Sequence, residues 1–137
     1  MWKIYGLLAA FFAALTAIFA KLGVREIDSN LAVALRTGFI LVLTWGTVFR
    51  TGAIGEIRAL SSRGLLFIFL SAIATGLSWL FYFKALQLGE ASKVASLDKL
   101  SLAFTILLAI LLLGEPVGFK TVMSGLLITG GSLLLLF

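Results

Sequence analysis

Apolar residues gather into five runs, 2–20, 31–49, 64–83, 94–113 and 117–137, separated by four short polar joints. Each run is about 20 residues, the length an α-helix needs to cross a hydrocarbon core roughly 30 Å thick. The runs are continuous, whereas a membrane-spanning strand alternates faces over about 10 residues. In lipid, a helix satisfies every backbone donor within its own segment. The pattern therefore predicts an all-α integral membrane protein, a bundle of five transmembrane helices whose two ends lie on opposite sides of the bilayer.

The joints carry the helix boundaries. The first, Lys21 to Asn30, closes on Asp28-Ser29-Asn30, residue types that cap a following helix through their side-chain oxygens. The second, Arg50 to Arg63, carries Gly52, Gly55, Ser61 and Ser62, with Ile54, Ile57 and Leu60 placed to lie in the membrane interface. The third, Gln87 to Lys93, contains Gly89. The fourth is only Gly114-Glu115-Pro116, where glycine ends one helix and proline begins the next, predicting a tight antiparallel hairpin. Loops this short hold no soluble domain, so residues 1–137 read as one transmembrane domain.

Composition narrows the chemistry. With 61% hydrophobic and 12% charged residues and a single proline, the chain fits neither a soluble nor a disordered class. Having neither cysteine nor histidine, it has no disulfide, thiolate or histidine acid–base chemistry and no zinc site of the usual ligand set. No cofactor or metal is expected, and an enzyme is not expected. The net charge of +5 sits at span ends and joints, which suits contact with water and lipid headgroups and not a nucleic-acid surface. Lys3 precedes the first run as in a secretory signal, yet the run exceeds a usual signal core and four more follow.

Small residues mark where helices can approach closely in lipid. Gly6, Ala10, Ala13, Ala14 and Ala17 share a face of the first run; Thr121, Gly125, Thr129 and Ser132 share one of the last. Either stripe serves packing within one bundle or contact with a second copy. The last, richer in glycine and hydroxyls, is the expected dimer interface.

Charges inside the runs are a sharper signal, since an embedded ion costs about 2.5–3.5 kcal/mol on insertion scales. Arg36 lies two turns into the second run, Asp98 and Lys99 a turn into the fourth, and Lys84 and Lys21 near the ends of the third and first. Because successive spans alternate direction, all five fall toward one membrane side, with Asp98 the only acid placed to offset the cations. The alternative is that the lysines snorkel to the interface and Asp98 pairs locally. Thr75, Ser78, Trp79 and Tyr82 add a stripe on the third run, continued by Lys84, that suits the wall of a small-molecule pocket. The other reading, interfacial anchoring by aromatics, fits Trp2 and Trp45 better than the deeper Trp79.

The run Trp79-Leu80-Phe81-Tyr82-Phe83-Lys84-Ala85-Leu86-Gln87-Leu88-Gly89-Glu90-Ala91-Ser92, followed by Leu97-Asp98-Lys99-Leu100-Ser101 and Leu113-Gly114-Glu115, resembles the EamA domain of the drug/metabolite transporter superfamily. The Phe19-Ala20-Lys21-Leu22-Gly23 ending of the first run and the glycine-rich last run are similar too. The resemblance covers essentially the whole chain and points to the half-size, single-domain branch. Ser96 stands where relatives often carry proline. The small multidrug resistance proteins, with four helices and a glutamate embedded in the first, are less similar, since this first run holds no acid.

What the resemblance implies is a secondary transporter, an exporter of small metabolites or drugs, working by alternating access as a dimer in a bacterial or archaeal inner membrane. The alternative is a nontransporting partner or scaffold for another membrane protein. Arg36, Thr75, Ser78, Trp79, Tyr82, Lys84, Asp98 and Lys99 are the candidate substrate-binding residues. Larger relatives join two five-helix domains in inverted orientation, so a homodimer inserted in both directions would reproduce their plan. The charges permit it. Lys3, Arg50, Arg58, Arg63 and Lys120 fall on one side, and Lys21, Arg25, Lys84, Lys93 and Lys99 on the other, leaving no positive-inside preference. If Lys84 and Lys99 belong to the site, a mild bias places the N-terminus in the cytoplasm, and a parallel dimer is the alternative.

Overall fold

The computed structural model describes residues 1–116 and 118–136. Its α-helices are α1 (Trp2–Gly23), α2 (Ser29–Thr51), α3 (Ser62–Leu88), α4 (Ala91–Asp98), α5 (Ser101–Leu108) and α6 (Phe119–Leu134). A 3-10 helix, Ala53–Ala59, follows α2, and a π-helical turn, Ala109–Leu113, continues α5. Among the described residues there is no strand.

Among the described residues four stretches are long and apolar enough to cross a membrane: α1, α2, α3 and Ala91–Leu113. The fifth apolar helix, α6, has 16 residues and so rises about 24 Å at 1.5 Å per residue, short of a 30 Å core. Val117 and Phe137, the ends of the last predicted run, lie outside the described residues. The chain is thus a multi-pass helical membrane protein, with four candidate full-length spans and one shorter apolar helix among the described residues.

Helices outrun the apolar runs because hydropathy marks the lipid-facing part of a helix, not its backbone limits. α3 takes in Lys84 and Gln87, both good helix formers, and reduces the third joint to Gly89-Glu90. Asp28 caps α2 as its residue type predicts, accepting from the backbone N–H of Asn30 at 2.8 Å and Leu31 at 3.2 Å. Gly52, at φ 74°, ends α2, and Gly114, at φ 65°, ends the fourth span. The expectation that Pro116 begins the last helix is corrected. α6 starts at Phe119 after Gly118, whose extended backbone, φ −83° and ψ 152°, makes it the N-cap.

The fourth span is not a uniform helix. Between α4 and α5 the backbone tightens into i→i−3 bonds: Lys99 N–H to Ser96, Leu100 to Leu97, Leu102 to Lys99 and Ala103 to Leu100, each 3.0 Å. Winding thus changes at Asp98-Lys99 with no proline between Ala91 and Leu113.

The chain forms two compact units, Met1–Gln87 and Leu88–Phe137. In the first, buried residues cluster at one end: Ala17, Ala20 and Val24 from the end of α1 and just beyond it, Ser29, Ala32 and Val33 from the start of α2, and Phe83 and Leu86 from the end of α3. In this unit α1 and α3 therefore finish where α2 begins. Two cross-links tie that end. Lys21 Nζ donates to the Leu86 carbonyl at 2.6 Å, and Gln87 Nε2 donates to the Val24 and Ile27 carbonyls at 3.4 Å each. In the second unit, Val94, Ser96, Gly125 and Ser132 are buried. The Ser96 hydroxyl donates to the Ser132 carbonyl at 3.0 Å, fixing α4 to the end of α6.

Candidate functional site

Arg36 is the eighth residue of α2, about 10 Å along the axis from Ser29. Its guanidinium carbon lies 4.2 Å from the Trp79 ring centroid and 5.3 Å from that of Phe83. Trp79 and Phe83 are four residues apart in α3, so one helix face presents both rings to the cation. Stacking of this kind contributes about 0.5–2 kcal/mol per ring, so the two rings offset much of the roughly 2.5–3.5 kcal/mol an embedded arginine costs. Within unit 1, no hydrogen bond or ion pair among the described residues engages the guanidinium. Its planar fork stacks on the two rings, and Tyr82 adds a favourable electrostatic interaction with the cation.

Arg36 is the one charged residue lining a groove of about 560 Å³ in unit 1, within the roughly 300–1,000 Å³ range of small-molecule sites. On α2 the groove is lined by Ala32, Leu35, Arg36, Phe39 and Ile40, the i, i+3, i+4, i+7, i+8 pattern of a single helical face. Thr16, Phe19, Ala20 and Gly23 repeat the spacing on α1, and Ile27 and Phe83 complete the lining. Phe83 is 2% exposed, whereas Phe19 and Phe39 are 66% and 75% exposed. The groove thus has a fixed floor and an open apolar wall.

The sequence-predicted residues divide. Arg36 lines the groove, and Trp79 carries Arg36 without lining it. Tyr82 is half-buried, its ring 6.5 Å from that of Phe83. Thr75 and Ser78 are exposed and do not line the groove, and the Thr75 hydroxyl donates to the Ser71 carbonyl in its own helix at 2.9 Å. Lys84 is exposed and donates to Gln87 Oε1 at 3.2 Å. In unit 2, Asp98 and its neighbour Lys99 are 3.7 Å apart, both partly exposed. Of the α6 stripe, Gly125 and Ser132 are buried within unit 2, Thr129 is half-buried and Thr121 is exposed. A Cβ added at Gly125 would lie 2.9 Å from Ile106 Cδ1, so this glycine sets how closely α6 approaches α5.

Phe19, Leu35, Phe39 and Phe83 were not predicted as site residues. The signal was present: stepping by three and four residues from Arg36 along α2 gives the whole α2 wall. Among the described residues no group of three or more acidic, cysteine or histidine side chains could hold a metal ion.

The profile of the EamA-like transporter family matches residues 1–137. A Sinorhizobium protein described as an uncharacterized transporter in the cobO 3' region is 44% identical over 134 residues, 98% of this chain and 95% of that protein. No solved structure matches.

Proposed function

We propose that this chain, which belongs to the EamA-like transporter family, is a secondary transporter that exports small metabolites or drugs by alternating access, with the Arg36 groove as its substrate site. The observation that carries the reading is Arg36, embedded in a span, stacked on Trp79 and heading an apolar groove. Intramembrane charges of this kind mark substrate paths in transporters. The relative of nearly equal length also bears the description of a transporter.

The working unit in this reading is a homodimer in a bacterial inner membrane. A second copy inserted in the opposite sense would complete the ten-helix plan of the larger relatives that the sequence resembles. The test is uptake by the purified chain alone in liposomes, with a panel of labelled carboxylates, amino acids and cationic dyes. Saturable uptake of any of them supports the transporter. Uptake of none, with activity restored only by another membrane protein, favours the alternative of a nontransporting partner.

A further inference from the structure

We propose that the groove selects monoanions with one apolar body, aryl- or alkyl-carboxylates, and discriminates against zwitterionic amino acids. The inference rests on the substrate-site reading above and adds the class of ligand. A single charged side chain, Arg36, lines the groove, and Thr16 supplies the one other side chain able to hydrogen-bond; the remaining lining is aliphatic, aromatic or glycine. The guanidinium stacks on Trp79 and Phe83 with Tyr82 in electrostatic reach, and its planar fork suits the bidentate contact that a carboxylate makes.

The selectivity follows from what the lining lacks. No carboxylate lines the groove, so the ammonium of an amino acid would be desolvated there without an acidic partner. A second anionic group would likewise face only apolar walls. The apolar body of a monoanion has Leu35, Phe39 and Phe19 to lie against, at the helical spacing that sets them on one wall. One positive charge and one apolar wall fit one negative head and one apolar tail.

The test uses the full chain in phosphatidylcholine nanodiscs, with Trp2 and Trp45 changed to phenylalanine so that Trp79, against Arg36, is the sole tryptophan. Its fluorescence is titrated with 3-phenylpropanoate, with phenylalanine, which adds only the ammonium, and with 3-phenylpropanamide, which removes only the charge. Saturable binding of 3-phenylpropanoate, with the other two weaker by about tenfold or more, the scale of one charge-assisted hydrogen bond, is expected. Phenylalanine or the amide binding equally well overturns the proposal.

Arg36→Gln should abolish the preference for the anion. Because that variant also unstacks Trp79, Gly23→Leu is the second probe. A Cβ at Gly23 meets no atom within 4 Å, so leucine there narrows the groove and leaves Arg36 untouched. It should weaken all three ligands together, and unchanged affinity counts against the groove. Repeating the titration with phosphatidylglycerol in the disc separates a soluble substrate from a lipid headgroup. Retained affinity supports the soluble carboxylate, whereas binding abolished by phosphatidylglycerol assigns the groove to lipid and overturns it. Loss of 3-phenylpropanoate binding with liposome uptake of another solute intact sinks the ligand class alone. Binding without any flux sinks the transporter and leaves the ligand class standing.

Discussion

The Arg36 guanidinium carbon stands 4.2 Å from the centre of the Trp79 ring, a pairing of α2 with α3 inside the apolar part of both helices. Because the rings are neutral, the stacking offsets part of the cost of placing the cation there and holds the charge in position without neutralising it. That residual demand for a negative partner is what turns a structural contact into a candidate site.

A double-mutant cycle on Arg36→Gln and Trp79→Ala should return a coupling of about 0.5–2 kcal/mol in thermal or denaturant stability. The same cycle with Trp45→Ala should return none, since the Trp45 ring lies 5.9 Å from that of Phe49 and meets no cation among the described residues. Equal coupling for both tryptophans would show that the stacking is incidental.

Much of this was legible in the sequence, and the reason differs from residue to residue. The cap at Asp28 and the stop at Gly114 follow from local chemistry, in which one side chain or one φ value decides the outcome. Arg36 stood out because a charge in a twenty-residue apolar run is costly wherever its partners lie. Phe19 and Phe39 did not, because among twelve phenylalanines in a lipid-facing chain hydropathy assigns no facing. Thr75 shows the opposite failure: helical spacing put its hydroxyl on a plausible stripe, but a hydroxyl in an apolar setting bonds the carbonyl one turn back. The tightened winding at Lys99-Leu100 carried no proline to announce it.

Two serines of similar burial should respond differently to alanine. Ser96 donates to the Ser132 carbonyl, so Ser96→Ala should cost about 1 kcal/mol. Ser29 is 1% exposed and its hydroxyl has no partner among the described residues, so Ser29→Ala should be neutral or stabilising. Melting curves of the two variants in one detergent check the contrast.

Lys21→Met should destabilise the end of unit 1 where α1 and α3 finish, because it removes a charged donor from the Leu86 carbonyl. Hydrogen bonds of that type contribute about 1.5–3 kcal/mol, and partial exposure places the expected loss at or below the lower figure. Gln87→Leu, which gives up two 3.4 Å contacts and an exposed 3.2 Å contact from Lys84, should cost less. Amide exchange at the last turn of α3 is the readout, and faster exchange in Gln87→Leu than in Lys21→Met would reverse the assignment.

Gly125→Leu should force α5 and α6 apart at Ile106 and lower the melting temperature, while Gly125→Ala, which meets only the tip of a flexible side chain, should be mild. Leucine tolerated without loss would show that α6 is free to shift.

If α6 completes a fifth crossing, the basic residues divide evenly between the two sides, and reporter fusions at the C-terminus should detect both orientations. Adding lysines to one loop should impose a single orientation and abolish activity. Full activity from a chain found in one orientation would replace the inverted dimer with a parallel one.

The central claim, that the Arg36 groove is the transport site, is tested most directly by 3-phenylpropanoate counterflow in proteoliposomes of the purified wild type, Arg36→Gln, Gly23→Leu and Trp45→Ala, each matched for thermal stability. Saturable flux in the wild type and Trp45→Ala, lost in Arg36→Gln and reduced in Gly23→Leu, is the predicted result. Flux that survives both groove variants at the wild-type rate would contradict it.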